Sequence, residues 1–237
     1  MNTHRLWGTL VFSSGFIMAG ATLTRRLARR SGATTSEVYR TLPGDELVPH
    51  PCIETTRAIT IHASITDVWP WLVQVGYHRG GWYTNPRLDK LIWRIDNPSA
   101  DGVLPQFQHL QVGDIVPDGP EGTARFTVAA LIPGQLLALL DADGTHIPHT
   151  QFSWVFVLRP IESDTARLIL RTRAAYPVRW WTTPLAYLAL GPADFLMAHV
   201  MLLRGIKQRA ERASLGDGSH KRDRHITPDN AWAALSS

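Results

Sequence analysis

The stretch TRAITIHASITDVWPWLVQVGYHRGGW, residues 56–82, decides the fold of this chain. Its first residues alternate between two faces, with Arg57, Ile59 and Ile61 on one of them. A period of two with β-branched side chains predicts a strand. Ser64 and Asp67 then form the Ser-x-x-Asp pattern of a helix N-terminus. The segment therefore predicts a strand that leads directly into a capped helix.

The predicted helix carries an apolar stripe at helical spacing, which we expect to be buried: Val68, Trp69, Leu72 and Val73. Pro70 has no N–H to donate, so the helix either begins near Thr66 or bends at the proline. Gly76 is a candidate left-handed cap that ends it. Gly80 and Gly81 follow and permit a tight turn. Trp82 and Tyr83 then either pin this loop to the core or cover the mouth of an apolar pocket.

The middle of the chain predicts an antiparallel sheet. Four strand-like runs lie at hairpin spacing, in residues 124–131, 136–140, 152–158 and 168–173. The run 136–140 is apolar on both faces, which is typical of a strand covered on both sides. Phe152, Trp154 and Phe156 form an aromatic row on one face of the third run. Phe126 lies on the first run, and we expect these rings to line the core or a cavity.

A long apolar segment near the C-terminus, residues 180–203, admits two interpretations. Its length permits a membrane span, but Pro184, Gly191 and Pro192 interrupt it and Asp194 is costly in lipid. We therefore expect a long helix from about Pro192, laid across the sheet. One stripe of this helix contains Phe195, His199, Leu202 and Ile206.

Several motifs together resemble the SRPBCC superfamily, which includes START lipid-transfer domains and polyketide cyclase/dehydrase-like proteins. They are the strand, the helix opening ASITDVW, the loop WLVQVGYHRGGWY, and the later pieces LQVGDIVP and MLLRGIKQRAER. The resemblance spans residues 37–212. It implies an α+β helix-grip fold, in which a curved antiparallel β-sheet wraps around a long C-terminal helix that closes a cavity. The superfamily shares no common catalytic motif, so the resemblance implies a fold more than an activity.

The N-terminus carries an uncharged apolar stretch, residues 6–24, followed by Arg25, Arg26, Arg29 and Arg30. We favour a hydrophobic transmembrane helix that keeps the main domain on the cytoplasmic side, because the heavier positive flank is C-terminal. A cleaved signal peptide ending near Ala21 and a soluble buried helix are the alternatives. The expected organisation is an anchor with its basic flank (1–30), a linker or strap (31–55), the helix-grip domain (56–212) and a disordered tail (213–237).

Composition excludes some classes of function. The net charge of +4 over 237 residues is mild, and much of the basic excess lies in two short runs rather than along a face. We therefore expect no nucleic-acid partner. The single Cys52 cannot form an internal disulfide. No metal-spaced cluster of histidines or cysteines and no phosphate-binding glycine loop is present, so we predict no metal and no cofactor.

The sequence thus favours a domain that binds a hydrophobic small molecule or lipid in an internal cavity. An enzyme of the cyclase/dehydrase or hydrolase kind, and a scaffold whose pocket is filled by its own side chains, are the alternatives. Four arginines, Arg57, Arg125, Arg171 and Arg173, either lie on an exposed, ion-paired sheet face, or one of them binds an acidic ligand group in the cavity. The candidate ligand-binding residues are Trp82, Tyr83, Asp89, Phe126, Trp154, Phe156, Arg171, Phe195 and His199.

Overall fold

A computed structural model of the chain describes residues 31–84, 98–121, 123–141, 150–175 and 201–223. The strands are β1 (Ile53–Ile61), β2 (Ile115–Pro117), β3 (Arg125–Ile132), β4 (Leu136–Asp141), β5 (Gln151–Glu162) and β6 (Thr165–Ala175). They form one antiparallel sheet in the order β1-β6-β5-β4-β3-β2. Within these ranges, the helices of four residues or more are α1 (Thr35–Tyr39), α2 (Ile65–Val73) and α3 (Arg204–Asp223). The α+β class, the antiparallel sheet and the C-terminal helix are confirmed, whereas the expected N-terminal helix lies outside the described residues.

The junction between β1 and α2 follows the sequence pattern. Ser64 is the N-cap, and its hydroxyl accepts a hydrogen bond from the Asp67 N–H at 3.2 Å. The helix begins at Ile65 and contains Pro70. Its buried side chains include Trp71, while Trp69 is only half-buried. Trp71, rather than the predicted Trp69, therefore belongs to the buried stripe of α2.

The sheet has two buried faces. On the inner face, residues such as Leu168, Phe156 and Leu137 pack into one core with α2 and the start of α3. On the outer face, a smaller apolar core includes Val155 and Ile169 and packs beneath residues 33–47. Because both faces are covered, β4 and β5 contain uninterrupted buried runs, as the apolar pattern of residues 136–140 predicts.

Residues 31–52, here called the strap, cross the outer face and are held there by arginines of β6. Arg171 is 2% exposed and its Nη1 lies 3.2 Å from Asp45 Oδ2. Its Nη2 donates to the carbonyl oxygens of Glu37, Val38 and Arg40. Strand β1 begins at Ile53, inside the range predicted as linker.

Helix α3 lies on the inner face near the C-terminal end of β1. Lys207 Nζ donates to the Thr60 carbonyl oxygen at 2.6 Å, and the His62 N–H donates to Glu211 Oε1 at 2.8 Å. Ile206 and Ala210 of α3 are fully buried in the inner core. In the part of the chain that the structure describes, no helix is both long enough and apolar enough to cross a bilayer.

Candidate functional site

Five rings gather on the inner face and form what we call the aromatic wall: Trp82, Phe126, Phe152, Trp154 and Phe156. Trp154 is at its centre. Its ring lies 5.1 Å from Trp82 in a T-shaped contact and 5.9 Å from Phe126 in a stacked one. Phe152 and Phe156 also contact Trp154, at 6.1 and 6.3 Å between ring centroids. Strands β3 and β5 position four of the five rings, so the wall is part of the rigid sheet.

Trp82 reaches the wall from the loop after α2. Its Nε1–H donates to the Asp118 carbonyl oxygen at 2.7 Å. The loop closes on itself through a bridge between Gly76 and Gly81, and Gly81 has a φ of 76°. A Cβ on Gly81 would lie 2.8 Å from Ser99 Cα, so this position has no room for a side chain. Trp82 therefore pins the loop to the core and contributes one ring to the wall, and its role at the mouth of a pocket stays a prediction.

A short row of residues with polar atoms, here called the polar row, crosses the inner face and ends at the central ring of the wall: Thr55, Thr172 and Trp154. Thr55 is paired with Thr172 across β1 and β6, and Thr172 is paired with Trp154 across β6 and β5. All three are buried, at 4%, 2% and 6% exposure. Arg57, which is fully buried on the same face, donates from Nη1 to Thr55 Oγ1 at 2.8 Å.

Two atoms of the polar row have no hydrogen-bond partner among the described residues: Trp154 Nε1 and Thr172 Oγ1. Native proteins pair almost all buried polar groups, and each unpaired group costs about 1–3 kcal/mol. Here the two atoms belong to directly paired residues, one of which is the central ring of the apolar wall. This combination is typical of a ligand site, in which a few polar groups orient a molecule held by apolar contacts.

Two hydroxyls of the outer face are also buried without a partner in the described part of the chain, those of Thr56 and Ser153. They lie opposite Arg171 and Arg173 in the strand register, beneath the strap. No aromatic ring contact is found beside them among the described residues. Thr56 and Ser153 are therefore matched controls for the polar row.

Tyr83 links α2 to the N-terminal half of α3. Its hydroxyl donates to the Trp71 carbonyl oxygen at 2.8 Å, and the two rings meet edge to face at 5.9 Å. Burial raises the pKa of Tyr83 well above its usual value, so the hydroxyl stays protonated. The Arg209 guanidinium lies 5.0 Å from the ring centroid. These contacts tie Tyr83 to α2 and α3, and its neutral phenol is a poor candidate for a general base.

The structure brings together four of the nine candidates, namely Trp82, Phe126, Trp154 and Phe156. Arg171 is placed on the opposite face of the sheet, where Asp45 and three strap carbonyls occupy its guanidinium. Of the two interpretations of Arg171, this placement agrees with the ion-paired sheet face, although the strap buries the side chain. Asp89, Phe195 and His199 lie outside the described residues.

The candidate list omitted Thr55, Thr172 and Arg57. The signal was present, because strand alternation puts Thr172 on the face of Leu168 and Leu170, and Arg57 on the face of Ile59 and Ile61. Polar residues at inward positions of a sheet mark either a buried network or a site. Among the described residues, no group of three or more potential ligands is placed to hold a metal ion.

No model of a known protein family matches the chain, and no curated protein matches it. Among solved structures, a protein from Thermobifida fusca is 15% identical, with 67% of this chain and 93% of that chain covered and a TM-score of 0.43. A Polyketide_cyc-like protein from Corynebacterium glutamicum is 14% identical, with 76% and 100% covered and a TM-score of 0.36. The Aha1 dimer from Colwellia psychrerythraea is 17% identical, with 61% and 96% covered and a TM-score of 0.33. At these identities and TM-scores the likeness assigns no activity to this chain.

Proposed function

We propose that this domain binds a hydrophobic small molecule against the aromatic wall, with the polar end of the molecule at the polar row. The observation that supports it best is the pair of unpartnered buried atoms, Trp154 Nε1 and Thr172 Oγ1. A ligand that hydrogen bonds to them removes a desolvation cost that the empty protein carries.

The composition of the site favours binding over turnover. Its described side chains are aromatic rings, two threonines and an arginine, and these groups hold and orient a molecule. A general base needs a pKa near the working pH and a position within hydrogen-bond reach of the reacting proton. Tyr83, one of the nine candidate ligand-binding residues, donates its hydroxyl to the Trp71 carbonyl oxygen, and burial raises its pKa.

The direct test is extraction of gently purified full-length protein followed by mass spectrometry, together with uptake of an apolar naphthalene-based fluorescent probe. We expect a co-purified apolar compound or saturable probe binding near one molecule per chain. The proposal fails if the protein carries no compound and takes up no probe.

A matched pair of variants locates the binding. Thr172→Val and Thr56→Val each remove one unpartnered buried hydroxyl from neighbouring strands, on the inner and the outer face respectively. Thr172→Val should weaken retention of the compound by about tenfold, which corresponds to loss of one good hydrogen bond. Thr56→Val should leave retention unchanged, and an equal effect of both variants would place binding elsewhere.

A further inference from the structure

We infer that the molecule bound at the polar row presents an acceptor oxygen, as a carbonyl or a carboxylate, to Trp154 and Thr172. This inference rests on the proposed function and names the chemistry of its ligand. The indole N–H of Trp154 can only donate, and the Thr172 hydroxyl can donate or accept. The group that satisfies both at once is an acceptor with two lone pairs, which a carbonyl or carboxylate oxygen supplies.

The spacing of the two residues suits a shared oxygen. Trp154 and Thr172 are direct cross-strand partners on one face of β5 and β6. The Cβ atoms of such partners lie about 4.5–5.5 Å apart, so the two side chains leave the sheet from neighbouring points of the inner face. A hydrogen bond to one oxygen from each side also fixes the orientation of the molecule along the aromatic wall.

Other classes of ligand head are disfavoured for different reasons. A hydrocarbon leaves both polar atoms unpaired. An ammonium group can only donate hydrogen bonds, so it cannot accept one from the donor-only indole of Trp154.

Calorimetric titration of the full-length protein with three naphthalenes of similar shape distinguishes these classes of ligand head. Acetylnaphthalene carries an acceptor oxygen, ethylnaphthalene carries none, and aminoethylnaphthalene carries a cation. We expect acetylnaphthalene to bind about tenfold or more tightly than ethylnaphthalene, because one to two hydrogen bonds distinguish them. Aminoethylnaphthalene should bind more weakly than the hydrocarbon.

The variant Trp154→Phe keeps an aromatic ring in the wall and deletes the N–H donor. It should reduce the preference for acetylnaphthalene over ethylnaphthalene by about tenfold, and this ratio is the readout because the smaller ring changes the apolar contact with both compounds alike. Ser153→Ala, which removes an unpartnered hydroxyl on the outer face, should change neither affinity.

The outcomes separate this inference from the proposed function. Equal binding of acetylnaphthalene and ethylnaphthalene, or a preference that persists in Trp154→Phe, overturns the acceptor-oxygen inference while binding itself stands. Absence of binding by all three compounds overturns the proposed function and this inference with it. A carboxylate analogue, naphthoate, then shows whether the acceptor is neutral or anionic.

Discussion

Gly205 in the first turn of α3 lies directly against Tyr83. A Cβ added at Gly205 would come within 2.6 Å of the Tyr83 Cβ, and closer still to the Tyr83 carbonyl oxygen. Tyr83 itself has a φ of 55°, a left-handed conformation that is uncommon for a residue with a side chain. The close approach of helix and loop therefore depends on a glycine at position 205, and it holds the loop that carries Trp82.

Gly205→Ala should destabilise the protein by about 1–3 kcal/mol, because the added methyl group meets backbone atoms that cannot rotate away. Urea unfolding followed by far-UV circular dichroism measures the change in the free energy of unfolding. The same substitution should also weaken probe binding, since Trp82 is adjacent to the displaced residue.

Gly216→Ala is the matched control in the same helix. A Cβ at Gly216 meets no atom within 4 Å, and the residue is exposed. Alanine is favoured over glycine inside a helix by about 1 kcal/mol, so this change should stabilise the protein slightly. Similar effects of the two substitutions would show that α3 does not contact Tyr83 as described.

Asp45→Asn should detach the strap. Asp45 is buried, lies 3.2 Å from the Arg171 guanidinium and accepts a hydrogen bond from the Leu42 N–H. Removing one partner of a buried ion pair leaves the other charge uncompensated, and Glu54 at 3.3 Å relieves only part of this cost. We expect a loss of about 3 kcal/mol and earlier proteolytic cleavage within residues 31–48.

Asp101→Asn is the control for the strap prediction. Its ion pair with Arg209 has a similar length, 3.2 Å, but the Asp101 side chain is 82% exposed. An exposed pair contributes little, so we expect a change below about 1 kcal/mol and an unaltered cleavage pattern. A larger effect of Asp101→Asn than of Asp45→Asn would contradict the assignment of Asp45 as the anchor.

The contact between Arg167 and Glu37 of the strap should make the stability of the protein depend on pH. Arg167 hydrogen bonds to the Glu37 carboxylate at 2.8 Å and lowers the pKa of Glu37 from 4.5 to about 2. Because the pKa is lower in the folded state, this contribution to stability is complete above pH 4.5 and is lost as the pH falls to about 2.

Glu37→Gln should therefore be less stable than the parent protein near neutral pH, and the difference should disappear as the pH approaches 2. Urea midpoints across this range measure it. Glu162→Gln, at the exposed end of β5, corrects for the loss of one carboxylate from the overall charge. A difference that stays constant down to the lowest pH would exclude the ion pair as its cause.

The local order of the fold could be predicted from the sequence because it depends on short-range chemistry. The Ser64 cap, the strand before it and the hairpin spacing of β3 to β6 all follow from residues close together in the chain. The alternation of Arg57, Ile59 and Ile61 also gave the correct shared face. These predictions required no information about which helices and strands contact each other.

The faces of the sheet were harder to predict, for identifiable reasons. A β-bulge between Val128 and Ala130 shifts the register, so Phe126 and Val128 pack inward while Ala130 packs against the outer core. The alternation of β6 shows which residues share a face with Arg171. It does not show whether a ligand or the strap covers that face. Only the long-range pairing with Asp45, 126 residues away in the chain, distinguishes these cases. The polar row likewise joins the β5–β6 hairpin to β1, which is distant from it in the sequence.

The polar row makes a prediction about stability that separates a binding site from an ordinary core. Thr172→Val replaces an unpartnered hydroxyl with a methyl group of similar size, and Trp154→Phe deletes an unpartnered N–H. In ligand-free protein, Thr172→Val should therefore be neutral or stabilising by up to about 1 kcal/mol, since it removes a desolvation cost.

In protein saturated with ligand, Thr172→Val should instead be destabilising, because the variant loses a hydrogen bond that the parent makes. Thermal unfolding with and without acetylnaphthalene measures both. If Thr172→Val destabilises the ligand-free protein by more than about 1 kcal/mol, the hydroxyl already has a partner within the chain and the polar row serves the core.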